Sequence, residues 1–494
     1  MWRAVLLLAL VTAASAHRHW NHTRWLEHRA HKRAMTDTGV GVVYEYVLSD
    51  GRYWTWEEIM EFLPRLNRLS NCTIAATTQS TPMTLFELWC TTPLPHLNGT
   101  HLLGERSISA RLEPNHEMTA TVLRKPSNIT KPRVVVHPPS RTQRRQWRAR
   151  RTSLAQGVQT SAPWHLDRLD AVCPCYDSEY HYYDLGDPSV IVYHIDTGAR
   201  VTHVEFSGRA TFDSNTVDGT TTDGNGHGTL TASLAVGTTY GVAKASLLVA
   251  IKALDDSGVG SIGSVASAIL RVQTLCSQRP THPAVLTMSL SGSQSPTLDA
   301  AVNTLQNSCH ISIVVAAGNQ ADNACNYSPG DVATCLTVGA TDPDDTRAYY
   351  SNFGSCVKIY APGGDGAGNP IIGAWFTSDT ATQGESGTSM STPIVAGIAA
   401  ILIHQRMASG YQLGNDNVGL LTNAEIISHA HNGIAFADFD GSIQALAQPP
   451  PPAPPAPPPA APLPPPPPRG AVAQNDMGTL SPFFLVLIVY WFWI

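Results

Sequence analysis

Gly387-Thr388-Ser389-Met390-Ser391-Thr392-Pro393 is a run of small residues that leads directly into the apolar segment from Ile394 to Ile403. This pattern is typical of a tight loop that enters a buried helix, in which Pro393 is tolerated only in the first turn. Ser389 is therefore predicted at or near a helix N-terminus. A serine hydroxyl is a poor nucleophile unless a neighbouring base takes its proton and a third group orients that base. The stretch has chemical meaning only if the chain also supplies a histidine and a carboxylate.

Around this stretch, residues 152–448 alternate short apolar runs with segments of helical spacing. Such alternation predicts an α/β domain with a mostly parallel sheet covered by helices on both faces. The predicted strands are Val190–Ile195, Ser246–Ile251, Val285–Ser289 and Ile311–Ala316, and the predicted helices are His227–Gly237, Ser264–Leu275 and Thr297–Gln306. Active sites of such sheets gather at the carboxyl ends of the strands.

A carboxylate and a histidine occur at such positions. Asp196-Thr197-Gly198 follows the strand that ends at Ile195, and Gly226-His227-Gly228-Thr229 opens the next helix. The chain order Asp, His, Ser is the one found in subtilisin. The three motifs together predict that Ser389 attacks a scissile carbonyl, that His227 takes and returns the proton, and that Asp196 orients the imidazole and stabilises its cation.

Residues 159–403 resemble the subtilisin-like serine proteases, most closely the proteinase K and aqualysin branch. Further motifs carry the resemblance in the same order: Gln159–Trp164, His203 with Glu205-Phe206, Gly208–Ala210, Asp223–Thr229, Ala316–Asn319, Asn326–Pro329, Thr337–Ala340, Ser351–Gly354 and Ala361–Gly363. The resemblance implies a three-layer subtilisin-like fold and peptide hydrolysis through an acyl-enzyme. It also implies that Asn319 donates to the oxyanion, together with the backbone N–H of Ser389. Taken alone, Asn319 would be interpreted as a turn residue after Gly318.

The same resemblance implies that a peptide substrate adds as an extended strand between two edges of the chain. The implied substrate-binding residues are Gly258, Val259, Gly260, Ser289, Leu290, Ser291, Gly292, Ala316, Ala317 and Gly318. No carboxylate falls in these segments. We therefore expect an apolar residue before the scissile bond, at P1, rather than a basic one.

Charge divides the chain into two parts. Residues 17–151 carry 20 Lys and Arg against 11 Asp and Glu, net +9, whereas residues 152–494 carry 11 against 27, net −16. The two parts should attract each other, and a nucleic-acid partner is not expected because the basic part is the one predicted to be removed. Residues of about 40–140 have the pattern of a small α+β module. The resemblance implies there an inhibitor and folding chaperone of ferredoxin-like fold, so we expect a zymogen inhibited by its own propeptide.

Residues 1–16 have the layout of a cleaved secretory signal, with a buried N-terminal strand as the alternative. Arg148-Ala149-Arg150-Arg151 ends a basic run and resembles the recognition sequence of furin-like convertases, which predicts cleavage between Arg151 and Thr152. An uncut, solvated linker is the alternative. Because an apolar P1 preference does not suit self-cleavage after Arg151, an outside convertase or a second cut near Ala155 is expected.

Secretion fits glycosylation and disulfide formation. The predicted glycosylation sites are Asn21, Asn71, Asn98 and Asn128, and Asn326 has the same Asn-X-Ser pattern. Three disulfide pairs are predicted among the nine cysteines: Cys72 with Cys90 in the small module, Cys325 with Cys356 by resemblance to the aqualysin type, and Cys276 with Cys309 at the ends of neighbouring helices. Cys173, Cys175 and Cys335 stay unassigned, so one mature thiol is expected to be unpaired or intermolecular.

The chain departs at three positions from the pattern of the branch that it resembles. Leu230 and Ile394 stand where histidines are frequent, although neither position takes part in catalysis. Lys358 stands where the proteinase K pattern has an aspartate ligand for calcium, and an ammonium group cannot ligate a cation. Structural calcium is thus not expected at Lys358, other calcium positions stay open, and the chemistry itself is expected to need no cofactor.

The C-terminal region differs in kind from the rest. Residues 449–468 contain 15 prolines in 20 positions and should form an extended stalk, of roughly 60 Å. Residues 469–494 end in twelve apolar residues from Phe483 to Ile494, fewer than the about 20 that a spanning helix needs. The tail resembles a glycosylphosphatidylinositol attachment signal, and a tail anchor in the membrane is the alternative.

These observations predict a secreted serine endopeptidase, made as a zymogen, held at a cell or particle surface and acting on proteins or peptides. The alternative is a secreted binding protein built on a protease fold, whose activity never escapes its prosegment. The complete set of Asp196, His227, Asn319 and Ser389 argues against that alternative, because a pure binder has no use for four groups with matched roles.

Overall fold

The computed structural model describes residues 44–49, 72–80, 83–90, 111–114, 116–120, 157–171, 174–182, 184–280, 282–411, 417–432 and 445–447. Several predicted features lie outside the described residues: the signal segment, the Arg151–Thr152 cleavage site, the proline-rich stalk, the C-terminal tail and the glycosylation sites Asn21, Asn71, Asn98 and Asn128. The predicted domain boundaries therefore stay predictions.

The described strands are β1 (Tyr44–Ser49), β2 (Cys72–Ser80), β3 (Met83–Cys90), β4 (Arg111–Pro114), β5 (Glu117–Ala120), β6 (Gly157–Thr160), β7 (Glu179–Tyr182), β8 (Ile191–Asp196), β9 (Ala210–Asn215), β10 (Leu247–Lys252), β11 (Val259–Ser261), β12 (Ala284–Met288), β13 (Leu290–Ser293), β14 (Ser312–Ala316), β15 (Tyr327–Ser328), β16 (Leu336–Thr341), β17 (Ile359–Pro362), β18 (Ile371–Ala374), β19 (Thr382–Glu385), β20 (His431–Asn432) and β21 (Ala445–Leu446). The described α-helices are α1 (Trp164–Leu169), α2 (His227–Val236), α3 (Ile262–Gln278), α4 (Pro296–Cys309), α5 (Thr388–Ala408) and α6 (Val418–His429).

A nine-stranded sheet in the order β20-β21-β17-β16-β14-β12-β8-β10-β9 forms the centre of the main domain. The seven strands from β17 to β9 are parallel neighbours. Alternate residues of the strands enter different cores: Val192 packs with α2, α5 and α6, whereas Tyr193 packs with α3 and α4. The predicted strands and helices correspond to β8, β10, β12, β14, α2, α3 and α4, so the prediction of a three-layer α/β fold with a mostly parallel sheet is confirmed.

Helix α5 differs from its prediction in where it begins. It starts at Thr388, so Pro393 is its sixth residue and lies beyond the first turn. A proline there cannot supply the N–H that would bond to the carbonyl of Ser389. Ser289 Oγ donates to that carbonyl at 2.9 Å instead. The expectation that Pro393 lies in the first turn is wrong, because a side chain from another element takes over the missing hydrogen bond.

Helix α5 is also the one described helix that is long and apolar enough to cross a membrane by length and composition. However, 89% of its apolar 18-residue window is buried inside the protein. The helix packs against α2, α6 and the strands β12, β14 and β16. It is therefore a core helix of the domain.

The upstream region contributes a separate antiparallel sheet in the order β2-β3-β1-β4. Its strands pack against α3 and α4 of the main domain. Four antiparallel strands with the first in the interior agree with the predicted ferredoxin-like module. In the register of this sheet Cys72 lies opposite Cys90, and a disulfide between them stays a prediction.

Two of the predicted disulfides are present in the structure. Cys276 and Cys309 join α3 to the end of α4 with a Cα–Cα distance of 6.0 Å, and Cys325 pairs with Cys356 at 5.4 Å. Cys175 is also disulfide-bonded. Among the described cysteines, Cys335 alone is free; it is buried, and burial raises the pKa of its thiol. A buried thiol with a raised pKa is chemically inert.

Candidate active site

The end of one strand and the start of one helix bring Asp196 and His227 together. Asp196 is the last residue of β8, and His227 is the first of α2. The Nδ1 atom of His227 lies 2.6 Å from Asp196 Oδ1, and both side chains are buried. Thr197 N–H donates to the same carboxylate oxygen at 2.7 Å. Because an ionised carboxylate only accepts hydrogen bonds, Nδ1 carries the proton and Nε2 carries the lone pair that a general base needs.

The loop before α2 is built to hold His227. Asp223 Oδ2 accepts from the N–H of Thr229 at 2.9 Å and from its hydroxyl at 2.6 Å, while Oδ1 accepts from Gly226 N–H at 2.9 Å. Gly226 has a φ of 104°, and a Cβ there would lie 2.5 Å from the Trp375 ring. Only glycine fits this position. The role of Asp223 in this motif was not visible from the sequence, because Asp223 lies three residues before the N-cap Gly226 and not at the N-cap position itself.

Ser389 is the second residue of α5 and is completely buried. Its Oγ donates to Ser289 O at 3.0 Å. Within the described part of the chain, His227 Nε2 has no hydrogen-bond partner. The predicted nucleophile and the predicted base are therefore not bonded to each other in this structure. Proton transfer requires Ser389 Oγ to exchange its bond to Ser289 for one to His227, as is common when substrate arrives.

Asn319 is held by the residue that precedes the nucleophile. Its Oδ1 accepts from the N–H and from the Oγ1 of Thr388, both at 2.9 Å. Thr388 Oγ1 in turn accepts from Gly318 N–H at 3.2 Å. Because the carbonyl end of the amide faces Thr388, the Nδ2 end is the one that can donate to a developing oxyanion beside Ser389. Thr388 is thus a positioning residue that the sequence analysis did not identify.

Asn319→Leu keeps the size of the side chain and removes the donor. We expect kcat on a chromogenic peptide to fall by ~10²–10³, the usual effect of losing one oxyanion donor, with KM changed by less than about threefold because an oxyanion forms only in the transition state. The matched control is Asn303→Leu, because Asn303 is exposed and its amide bonds to Asp299 O in α4 and to the Thr334 hydroxyl. A loss of less than tenfold, or an equal loss in the control, would contradict the role of Asn319.

The two edges predicted to bind substrate hold a strand of the chain itself. A second sheet has the order β11-β5-β13-β15, in which β5 is antiparallel to both of its neighbours. Met118 lies opposite Gly260 and Gly292, and Ala120 N–H donates to Gly258 O at 3.0 Å. Residues 258–260 and 289–292 therefore line one cleft, and β5 lies in it as a peptide substrate would.

Side-chain packing, in addition to backbone hydrogen bonds, holds β5 in the cleft. Met118 is completely buried and belongs to the same apolar cluster as Ile262 and Leu290. A Cβ at Gly292 would lie 2.5 Å from Met118 Sδ, so glycine is what permits the close approach of β5. The cleft thus contains an apolar subsite filled by a residue from upstream of the main domain.

The other predicted pocket residues lie at and after the end of β14, and the last of them, Gly318, contacts Thr388. Ala316 ends β14, Ala317 N–H donates to Val338 O at 3.0 Å, and Gly318 bonds to Thr388 as described. Asn352, which is buried, donates from Nδ2 to Ala317 O at 2.8 Å. The structure therefore places residues 258–260 and 290–292 on the two edges beside β5, Ser289 against Ser389, and Gly318 against Thr388.

Three positions depart from the pattern of the branch that the sequence resembles. Leu230 and Ile394 are buried in the core. Lys358 Nζ donates to Ser355 O at 3.2 Å. Of the residues described, no group of three or more His, Cys, Asp and Glu is arranged to hold a metal ion.

Charge in the site favours an ionised Asp196 beside a basic imidazole. Burial of the His227 ring opposes its protonation, but the Asp196 carboxylate outweighs this effect and the pKa of His227 is raised. Burial likewise opposes ionisation of Asp196, yet the interaction with His227 lowers the pKa of that carboxyl. Burial raises the pKa of Glu385, which also faces His227. The arrangement can accept a proton at Nε2 and stabilise the resulting cation.

The part of the chain that holds this site is similar to known proteins. A model of the subtilase family matches residues 187–429. An extracellular serine proteinase of Thermus sp. (strain Rt41A) is 44% identical over 251 residues, which are 50% of this chain and 58% of that protein. A cuticle-degrading serine protease of Arthrobotrys oligospora is 41% identical over 253 residues, 50% of this chain and 59% of that protein.

A solved structure extends the similarity to the fold. The crystal structure of a cold adapted subtilisin-like serine proteinase matches with a TM-score of 0.52 and 36% sequence identity, over 59% of this chain and 99% of the solved one. The chain thus spans a little more than half the length of the two curated relatives above, 58% and 59%, and nearly all of the solved one.

Proposed function

We propose, on the premise that the chain belongs to the subtilase family, that it is a serine endopeptidase that hydrolyses protein or peptide substrates. The observation that carries the proposal is the 2.6 Å contact between buried Asp196 and His227. Ser389 attacks the carbonyl, His227 takes and returns the proton, and Asp196 stabilises the imidazolium. Asn319 Nδ2 and the N–H of Ser389 receive the oxyanion. No cofactor takes part in these steps, and structural calcium is left open at positions other than Lys358.

The same proposal includes a zymogen whose own propeptide blocks the cleft. It is supported by β5, which occupies both substrate-binding edges, and by the buried side chain of Met118. The complete burial of Ser389 also fits a latent state. Release then requires β5 to leave after the chain is cut, by a furin-like convertase after Arg151 or by a second cut near Ala155.

Substrate preference follows from the walls of the first pocket. Ala316, Ala317 and Gly318 carry no charge, and the same holds for residues 289–292 on the opposite side. An arginine or lysine at P1 would therefore lose solvation without gaining a partner carboxylate from these segments. We propose an apolar P1 residue.

Secretion and surface attachment complete the proposal. Two curated relatives are named as an extracellular serine proteinase and a cuticle-degrading serine protease. This naming agrees with the signal-like residues 1–16 and with the disulfides of the main domain. Attachment to a membrane through residues 469–494 is proposed from their sequence alone.

A fluorophosphonate probe tests the function, because it reacts only with a serine activated by its base. We expect stoichiometric labelling of Ser389 in purified, processed protein, together with hydrolysis of an apolar-P1 peptide. Heat-unfolded protein serves as the control for non-specific labelling. The competing hypothesis is a silent binding protein that keeps its prosegment. It would be favoured if processed protein took up no label while the prosegment stayed bound.

A further inference from the structure

A buried histidine and a buried threonine contact the oxygen of Asp196 that His227 does not use. Thr231 Oγ1 lies 3.2 Å from Asp196 Oδ2, and His194 Nε2 lies 2.9 Å from Thr231 Oγ1 and 3.7 Å from the same carboxylate oxygen. His194 precedes Asp196 by two residues on β8, so both side chains lie on one face of the sheet. Thr231 follows His227 by four residues on α2, so both lie on one face of the helix. A polar pair thus stands behind the carboxylate.

The hydrogen atoms of this pair can be assigned from the contacts. Burial lowers the pKa of His194, so its ring is neutral and carries one N–H. Among the described residues, His194 Nδ1 has no hydrogen-bond partner. A proton on Nδ1 would be an orphan donor in the core, which folded proteins avoid. The proton therefore lies on Nε2, which donates to Thr231 Oγ1.

The threonine hydroxyl has a single hydrogen and three acceptors within reach. Besides Asp196 Oδ2, its Oγ1 lies 3.1 Å from His227 O and 3.3 Å from Gly228 O. Bonds to the preceding helical turn are ordinary for a threonine. A hydrogen bond to an ionised group is, however, about twice as strong as one to a neutral carbonyl. With the hydroxyl oxygen already accepting from His194, donation to the carboxylate completes a continuous chain.

We propose that His194 and Thr231 are positioning residues, which hold the Asp196 carboxylate from behind so that its other oxygen stays aligned with His227 Nδ1. The inference rests on the proposed peptidase function and adds two residues to it. In this arrangement Oδ1 accepts from His227 and from Thr197, while Oδ2 accepts from Thr231. The carboxylate cannot then rotate without breaking bonds at both oxygens.

The pair also has an electrostatic consequence for the base. The titratable groups that act on His227 or on its carboxylate come from three elements: Asp196 and His194 from β8, Asp223 from the loop before α2, and Glu385 from the end of β19. Loss of the Thr231 hydroxyl removes a hydrogen bond that offsets part of the negative charge of Asp196. The charge felt by His227 then increases and its pKa rises further. Since His227 must be neutral to accept a proton, the acid limb of kcat/KM should move to higher pH in the variant.

The test uses the processed full chain with Thr231→Val, which keeps the shape and removes the hydroxyl, and His194→Leu, which removes the donor. Thr231→Val is expected to lower kcat by about tenfold, the effect of one hydrogen bond to a charged group. His194→Leu should lower kcat by no more than that, because it loses only the bond to the Thr231 hydroxyl. In both variants KM should stay within about twofold and the acid limb should shift upward. Thr231→Ser and His194→Gln keep a donor and should retain activity within about threefold. The double variant should lose no more kcat than Thr231→Val alone, because the two residues act through one series of hydrogen bonds.

Thr422→Val is the matched control, because Thr422 is also buried in a helix and donates to the carbonyl four residues back, Val418 O, at 2.7 Å. Active sites are counted with the fluorophosphonate probe, so misfolded protein does not enter kcat. If Thr231→Val gives the kcat and the pH profile of Thr422→Val, the hydroxyl serves only its helix and the inference is wrong. If the losses in kcat add in the double variant, the two residues do not act through one series of hydrogen bonds, and the inference is likewise wrong.

A separate measurement distinguishes failure of this inference from failure of the proposed function. In a Ser389→Ala background, NMR titration of the His227 ring reports its pKa without any catalysis. Thr231→Val should raise that pKa, and an unchanged value would reject the inference even if the wild type is an active peptidase. A raised value in a chain whose wild type hydrolyses nothing would support the pair and reject the peptidase.

Discussion

Ser389→Ala is expected to lower kcat on an apolar-P1 peptide by ~10⁶-fold, the loss measured for the nucleophile of subtilisin. The reason is that no other hydroxyl can form the acyl-enzyme, so Asp196, His227 and Asn319 are left without a reaction to assist. Binding of a peptide along β11 and β13 needs no contact with Oγ, so a competitive peptide inhibitor should bind with unchanged affinity. Burst kinetics with an ester substrate and isothermal calorimetry with the inhibitor measure the two effects.

Ser391→Ala provides the matched control for this substitution. Ser391 lies two residues further along α5, is equally buried, and donates to Ala361 O at 2.9 Å. Its variant should keep kcat within about threefold. Equal losses in both variants would mean that the helix, and not the nucleophile, had been damaged. Activity within tenfold of wild type in Ser389→Ala would remove the peptidase proposal.

The Ser389→Ala chain also separates the two processing routes. A cut after Arg151 that persists in this variant must be made by an outside convertase. A cut near Ala155 that disappears must depend on the chain's own nucleophile. Mass spectrometry of the N-terminus decides between them.

The fold was predictable because its signal is local and repeated. Runs such as Ser246–Ile251 are short, apolar and bounded by turns, which is the pattern of a strand buried on both faces. The positions of Asp196 and His227 were predictable for the same reason, because each follows or opens a recognisable element. Their mutual contact at 2.6 Å then follows from the rule that strand ends gather at one edge of the sheet.

The features that sequence reasoning missed depend on contacts between distant residues. Pro393 could be accommodated inside α5 only because Ser289, about one hundred residues away, supplies a hydrogen bond. The role of Thr388 in holding Asn319 needed the register of a loop against a helix. His194 was visible as a polar residue in an apolar strand, two residues before the acid. Its partner Thr231 was visible only as a threonine one turn after the base, and nothing local joined the two.

The occupied cleft is the clearest of these cases. Glu117–Ala120 gives too short an alternation to be assigned to a particular sheet. Its position depends on two edges more than 130 residues downstream in sequence. The opposed charges of the two parts predicted that they would meet, yet charge has no directional pattern that could select this segment or its register.

Met118→Asp should release the peptidase from its propeptide, and the expected rise in the inhibition constant is ~10³–10⁴. Met118 is completely buried between β11 and β13. The substitution forfeits about 2 kcal/mol of apolar burial, and it places a carboxylate in an apolar subsite at a cost of about 3 kcal/mol more. The two costs add to about 5 kcal/mol. At 1.36 kcal/mol per tenfold change, this corresponds to a rise of ~10³–10⁴ in the inhibition constant. The backbone bonds of Ala120 and His116 remain, so binding is weakened rather than abolished.

The measurement is the activity of the processed protein, with its propeptide still bound, as a function of dilution. After the cut the propeptide is a separate chain, so a tightly bound one stays associated at concentrations where a weakly bound one dissociates. Wild type should stay latent to far lower concentration than Met118→Asp. Met118→Leu keeps an apolar side chain and should remain latent, and it shows whether the module still supports folding. Glu117→Gln changes an exposed neighbour on the same strand and should shift the constant by less than about threefold. Equal latency of Met118→Asp and wild type, at matched probe-titrated active sites, would show that β5 does not hold the cleft closed.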